Sequence, residues 1–289
     1  MDKIIFGDNQ FFGVNHMSEQ VSIRQSQRFK TPDDIYKSLE YVNDIGIKCF
    51  MFTTHHQLDP VLEKINTNPK FHDFKLIPCM PYAHKYANAM IETGVFEAIN
   101  KFVPGSKVMA GLKGVGSLIS ADPVPIMRLL VDSEMKQLKG MNVDSIFLLN
   151  IVTDLLIGLG MHNLFLEFSN YIESKYHVKA GFFTMNYVRL HDILVNDLGM
   201  VNPMICSDVN KIGFRMNPNQ ESVEAKINEK KSHNIAMSIL ASGAIRPADA
   251  VDYIGKLKGI DSVVFGASSN IHILETKNLL EKIYCGIDV

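Results

Sequence analysis

Short, continuous apolar runs alternate along the chain with longer stretches in which apolar residues recur every three or four positions. The runs are residues 3–6, 48–52, 75–80, 145–149, 178–183, 203–206, 234–240 and 262–265. Continuous rather than alternating runs predict parallel strands covered by helices outside and by a packed core within. The intervening stretches predict amphipathic helices. Thr31-Pro32-Asp33-Asp34 supplies an N-cap, a proline at the first helical position and acid in the first turn, and Ile35, Leu39 and Val42 then share a face. Ala87, Ile91, Val95, Ala98 and Phe102 form a similar stripe. Asp122-Pro123 opens another helix, with Met127, Val131, Met135 and Leu138 in phase. Later stripes are Leu164/Phe165/Phe168/Ile172, Leu190/Leu194, Ala250/Ile254/Leu257 and Ile273/Leu280/Ile283. Around 220–230 only Val223 and Ile227 mark a helical face.

Strand–helix units in this order predict an α/β fold, a closed (β/α)8 TIM barrel filling residues 1–289 as one domain. Two connections exceed what a simple turn needs, near 8–30 and 104–121, and are read as loop insertions on the upper face. The alternative makes 108–112 a ninth strand, which would shift the register from there on.

Composition narrows the class. At 46% hydrophobic and 21% charged over 289 residues, the chain is too apolar for disorder. A net charge of −2 gives no electrostatic footprint for nucleic acid. No run of eighteen apolar residues predicts a membrane span, and the start turns polar too soon for a secretory signal. Cys49, Cys79, Cys206 and Cys285 show no CxxC spacing, which fits small buried thiols in a reducing compartment. The expectation is a cytoplasmic protein with a small-molecule partner and neither a nucleic-acid nor a membrane partner.

In barrels of this kind chemistry sits where strands end and βα loops begin. The seventh run leaves through Ala241-Ser242-Gly243-Ala244, and the eighth through Gly266-Ala267-Ser268-Ser269-Asn270 straight into a helix. Glycine lets backbone approach a ligand closely, and free N–H groups at a helix N-terminus favour an anion. Ser242, Gly243, Gly266, Ser268, Ser269 and Asn270 are therefore the candidate phosphate cradle, for a phosphorylated substrate or a nucleotide.

At this point the sequence resembles the aldo/keto reductases, mainly over residues 140–284. The blocks that carry the resemblance are 142–149 (with Asp144-Ser145-Ile146-Phe147), 178–186 (Gly181-Phe182-Phe183-Thr184-Met185-Asn186), 234–243 (Ser238-Ile239-Leu240-Ala241-Ser242-Gly243) and 261–269 (Val263-Val264-Phe265-Gly266-Ala267-Ser268-Ser269), followed by Glu275-Thr276. The resemblance implies NADPH laid across the top of the barrel, with its phosphates in loops seven and eight, and carbonyl reduction by an Asp, Tyr, Lys and His tetrad. That tetrad is not matched. The second strand ends Thr53-Thr54-His55-His56, the third Cys79-Met80-Pro81, and the fourth Leu148-Leu149-Asn150, with asparagine at the histidine position. The basic residue that often clasps the 2′-phosphate is also missing, with His272 and Ile273 nearby.

The strand ends offer other groups: Asp8, Asn9, Gln10, Asn15 and His16 after strand one, Thr53 to His56 after strand two, Tyr82 and His84 after strand three. Asn150 and Asp154 follow strand four, Thr184 and Asn186 strand five, Ser207, Asp208, Asn210 and Arg215 strand six. The catalytic candidates are His55, His56, His84, Tyr82, Asp8 and Asn150, since imidazole titrates near neutrality and Tyr82 stands in for the missing phenol. Two other readings stay open. The histidines with Asp8 or Asp208 could ligate a metal for a lyase, isomerase or hydrolase acting on a phosphorylated substrate, although no HxH or HExxH pair is present. The barrel could also bind a ligand without catalysis.

Overall fold

The computed structural model describes residues 1–15, 17–82 and 123–286. Eight parallel strands form a closed barrel in sequence order: β1 (Ile4–Phe6), β2 (Cys49–Thr53), β3 (Lys75–Met80), β4 (Ser145–Leu148), β5 (Lys179–Phe183), β6 (Met204–Asp208), β7 (His233–Met237) and β8 (Ser262–Phe265). The ring closes where Ile4, Ile5 and Phe6 pair with Val263, Val264 and Phe265. β3 pairs directly with β4, Cys79 opposite Phe147 and Met80 opposite Leu148. The barrel therefore closes without 108–112, and that segment, like the rest of 104–121, lies outside the described residues.

Neighbouring residues of one strand face opposite layers, and both layers are dry, which is why the runs read as continuously apolar. Ile5, Met51, Ile77, Cys79, Phe147, Cys206, Ile235 and Val264 fill the barrel. Phe6, Phe50, Phe52, Leu76, Leu148, Phe182, Ile205 and Val263 pack outward against the helices. Cys49, Cys79 and Cys206 are buried thiols and Cys285 is exposed.

The helices are α1 (Glu19–Arg28), α2 (Pro32–Asp44), α3 (Asp59–Thr67), α4 (Pro123–Met135), α5 (Asn150–Gly158), α6 (Asn163–Tyr176), α7 (Tyr187–Asp192), α8 (Gln220–Asn228), α9 (Pro247–Lys256) and α10 (Asn270–Tyr284). α2 begins with a full capping box: the Thr31 side chain accepts from the Asp34 N–H, and the Asp34 carboxylate accepts from the Thr31 N–H at 3.0 Å. α8 exists on the strength of the two apolar residues visible in the sequence, Val223 and Ile227, both fully buried. None of the described helices is long and apolar enough to cross a membrane.

Three boundaries differ from the sequence pattern, and each shapes the site. The 8–30 connection carries α1, so it is a structured insertion rather than a bare loop. β6 runs on to Asp208, because Ser207 and Asp208 continue the ladder opposite Ala236 and Met237. β7 stops at Met237, short of 240: Ser238 enters the left-handed region (φ 54°), which ends extended structure, and Ile239 is buried from the turn instead of from the strand.

Candidate functional site

A cavity of about 620 Å³ opens at the C-terminal end of the strands. Its floor is the top of the barrel interior, with Met51, Thr53, Cys79, Phe183 and Val264. Gly7, Asp8, Asn9 and Gln10 from the β1 loop form one wall, and Val14, Asn15, Val21 and Gln25, in and before α1, extend it. The opposite side is Ser238, Ser242, Gly243 and Arg246 after β7, then Gly266, Ser268, His272 and Glu275 after β8.

Four of the six predicted cradle residues, Ser242, Gly243, Gly266 and Ser268, thus line one cavity. Ala241 (φ 43°), Ser242 (φ 56°) and Gly243 (φ 94°) run consecutively through positive φ, a conformation that Gly243 tolerates and the other two hold under strain. Ser269 is the N-cap of α10: its hydroxyl accepts from the His272 N–H at 3.3 Å. Ser269 and Asn270 support the helix start behind the cavity wall. The α1 insertion is tied across the mouth, where Asn15 Nδ2 donates to the Ser242 carbonyl at 3.1 Å.

Among the described residues, Asp8 is the one predicted catalytic residue that lines the cavity. Its Oδ2 accepts from the Thr53 N–H at 2.8 Å and from the Thr53 hydroxyl at 2.7 Å. Burial raises its pKa and these bonds lower it again, with burial the larger effect. Beside it, Gln10 is buried; its Nε2 donates to the Gly7 carbonyl at 2.7 Å while Oε1 has no partner. Gly266 closes over that oxygen: a Cβ there would lie 2.0 Å from Gln10 Oε1.

The other predicted catalytic groups gather elsewhere. His55 caps a short 3-10 turn, Nδ1 accepting from the Gln57 N–H at 3.1 Å. Its ring lies 4.4 Å from that of His56, 4.7 Å from Phe12 and 4.8 Å from Tyr82. The structure brings His55, His56 and Tyr82 together as a ring cluster, and none of the three lines the cavity. Burial, followed by the charge of Asp8, raises the Tyr82 phenol above its ordinary value, opposite to the tuning an acid at neutral pH needs. Asn150 opens α5 and is also absent from the cavity wall. His84 and His16 lie outside the described residues. Glu134, which sequence reasoning passed over, is buried at 2% exposure; it accepts from the Tyr82 N–H at 3.1 Å and from the Thr54 hydroxyl, fixing the ends of β2 and β3. Its signal was an acid inside the apolar stripe of α4, between Val131 and Met135.

The end of β6 is the most unusual part of the rim. Asp208 is 2% exposed, neither carboxylate oxygen has a hydrogen-bond partner, and burial pushes its pKa up to about 6. Arg215 Nε stands 3.7 Å from its Oδ2. Nearby, Asp154 accepts from the Thr184 hydroxyl and from the Met185 N–H at 2.9 Å, and burial raises its pKa too. Among the described residues no three His, Cys, Asp or Glu side chains converge to hold a metal.

No protein-family model matches the chain, and no curated protein does. Solved structures match along nearly its whole length. A Pseudomonas aeruginosa protein described as an aldo-keto reductase superposes with a TM-score of 0.60 at 11% identity, covering 98% of this chain and 91% of its own. An aldo-keto reductase from a Medee basin deep-sea metagenome library gives 0.51 at 12%, covering 100% and 92%. A thermostable aldo-keto reductase solved with the inhibitor epalrestat gives 0.56 at 9%, covering 97% and 90%. The fold is that of the aldo-keto reductase barrel; at these identities the chemistry has to be read from the residues.

Proposed function

We propose that this protein is an oxidoreductase-like barrel that binds a phosphate-bearing nucleotide, NADPH first, in the cavity between the β1, β7 and β8 loops. The observation that carries the reading is the convergence of Ser242, Gly243, Gly266 and Ser268 on one cavity whose wall is continued by the first turn of α10. The volume lies within the range of about 300–1,000 Å³ usual for cofactor sites. The residues fit the group. Gly243 lacks a side chain where backbone can meet phosphate, and the α10 N-terminus favours negative charge. His272, noted in the sequence, and Arg246, whose Nε is paired with Asp249, are the basic side chains on that wall and the candidate partners for a 2′-phosphate.

When bound, the nucleotide supplies a hydride. The chain's own part is to hold the phosphates at loops seven and eight, to keep Asp8 fixed by Thr53 on the cavity wall, and to screen the floor with Met51, Cys79 and Phe183. The unmatched tetrad means that proton handling falls to different groups, and the buried rim carboxylates are the ones whose burial tunes them for it.

The test is direct. With no tryptophan in the chain, binding is followed by the fluorescence of NADPH itself and by a thermal shift. Saturable binding and a higher Tm with NADPH support the reading. No response to NADPH or NADH at millimolar concentration overturns it, and tightly held Zn²⁺, Mn²⁺ or Co²⁺ in the purified protein would favour the metal-dependent alternative instead.

A further inference from the structure

The end of β6 holds a cation with donors to spare above a buried carboxylate that is faced by one hydroxyl, that of Ser238, and by no N–H donor within hydrogen-bond distance. Arg215 is one-quarter exposed on the β6 loop. Its Nη2 points at the thioether sulfur of Met185 at 3.0 Å, a weak acceptor, and its Nε is too far from Asp208, at 3.7 Å, for a hydrogen bond. The other cations of these loops already have a carboxylate partner, since Lys211 and Arg246 both bridge to Asp249, at 3.4 and 2.8 Å. The geometry is held, not loose. Arg215 has positive φ (60°), and Asn210 brackets the turn before it, accepting from the Phe214 N–H and donating to the Phe214 carbonyl at 2.8 Å each. Asn217 Nδ2 donates to the Met185 carbonyl at 2.8 Å, which ties this loop to the end of β5. A side chain kept in strained backbone with its best donors unused is arranged for a partner that arrives.

We propose that Arg215 is the receptor for an oxyanion group of the substrate, with Asp208 beneath it as a positioning carboxylate that takes up a proton when the anion binds. The inference rests on the reading of the neighbouring cavity as a ligand site, and it names the substrate class: a small molecule bearing a carboxylate or phosphate. The two sites adjoin, because Ser238, on the cavity wall, also faces Asp208. The linkage to a proton follows from the surroundings. Arg215, Ser238 and Asp154 face Asp208, and the Cys206 thiol lies below it on the same strand. Of these only Arg215 is cationic, so an anion that neutralises it leaves the buried carboxylate with the Ser238 hydroxyl alone to favour its charged form. Its titration then moves up, by roughly one pH unit or less, the worth of a partly exposed pair at this separation. No bond is made or broken in this step: a proton passes from solvent to Asp208 as the anion enters.

Calorimetric titration of inorganic phosphate and, separately, oxalate into the NADPH-saturated protein tests this, each in two buffers of different ionisation enthalpy at pH 7. Saturating NADPH keeps the loop-seven cradle from being the phosphate receptor. The expected result is binding of at least one anion with uptake of a substantial fraction of a proton, weakened at least tenfold in Arg215→Met and proceeding without proton uptake in Asp208→Asn. The preferred anion tells a carboxylate substrate from a phosphorylated one. Arg215→Lys, which keeps the charge and loses the fork, should bind at intermediate strength and guards against a fold defect in Arg215→Met. Equal binding by wild type and Arg215→Met, absence of binding of both anions, or the same proton uptake in Asp208→Asn each overturn the proposal. The nucleotide reading fails separately, on NADPH alone: a protein that ignores NADPH but binds oxalate through Arg215 loses that reading and keeps this one.

Discussion

Replacing Asp208 by asparagine should make the protein more stable at neutral pH, and the gain should disappear in acid. The carboxylate is 2% exposed with both oxygens unpartnered, and burial lifts its pKa from 3.8 to about 6. A group whose folded pKa is raised binds its proton more readily folded than unfolded, so the native state is favoured at low pH and carries the cost of a buried charge above the folded value. At about 1.4 kcal/mol per pH unit, the span between 3.8 and 6 corresponds to a cost of about 3 kcal/mol above pH 7. The attraction of Arg215 is already contained in that pKa, so it is not subtracted again. The expectation is a gain of about 3 kcal/mol at pH 8, shrinking as pH falls through 6 and absent near 4. Urea unfolding of wild type and Asp208→Asn at pH 8, 6 and 4.5 reads it. A variant less stable than wild type at pH 8, or a difference that does not change with pH, would refute the reasoning. A gain in stability with a loss of anion-linked proton uptake would mark Asp208 as a residue kept for function at a cost to the fold.

Two further outcomes follow from the same structure. Gly266→Val should abolish the NADPH-induced thermal shift, because even a Cβ would meet Gln10 Oε1 at 2.0 Å and both residues line the cavity; unchanged NADPH affinity with the variant folded would count against the cavity as the nucleotide site. His191 is fully buried with neither ring nitrogen partnered, and burial lowers its pKa below 6.5, so the unfolded chain protonates first and stability falls as pH drops through 6.5. His191→Phe should lessen that loss between pH 7 and 5, and an identical Tm slope in the two proteins would contradict it.

The barrel was legible because each strand is buried on both faces, so that eight apolar runs with helical stripes between them leave few other solutions. The β7 and β8 side of the cavity was legible for a related reason: Ser242, Gly243, Gly266 and Ser268 leave these strands through residues whose backbone properties are local. Which rim side chains reach the cavity was not, since where they point depends on how far each strand stays extended. His55 shows the failure. Its N–H bonds the Thr53 carbonyl and the chain turns into a 3-10 cap at once, so the two-residue alternation of β2 cannot be carried past Thr53, and His55 packs against Phe12, Tyr82 and the stacked ring of His56 rather than lining the cavity.

Asp208 shows the converse. Cys206 faces the barrel interior, and β6 stays extended for two more residues because Ser207 and Asp208 keep their register with Ala236 and Met237. Two residues is one full alternation, so Asp208 belongs on the inward layer with Cys206, and its burial follows from the ladder. An apolar-run criterion ends β6 at 206 because Ser207 and Asp208 are polar, and so it misplaces the residue that most needs the strand. The rule that finds it is positional: a carboxylate one alternation beyond an inward-facing core residue, at the C-terminal end of a barrel strand, is driven out of water by the fold itself. Such a group costs stability wherever it lacks a donor, and here the nearby guanidinium is too distant to supply one. The unmet bonding of Asp208 and Arg215 is therefore a property of the pair: neither side chain satisfies the other at 3.7 Å, and the position that buries the carboxylate is set by the β6 ladder.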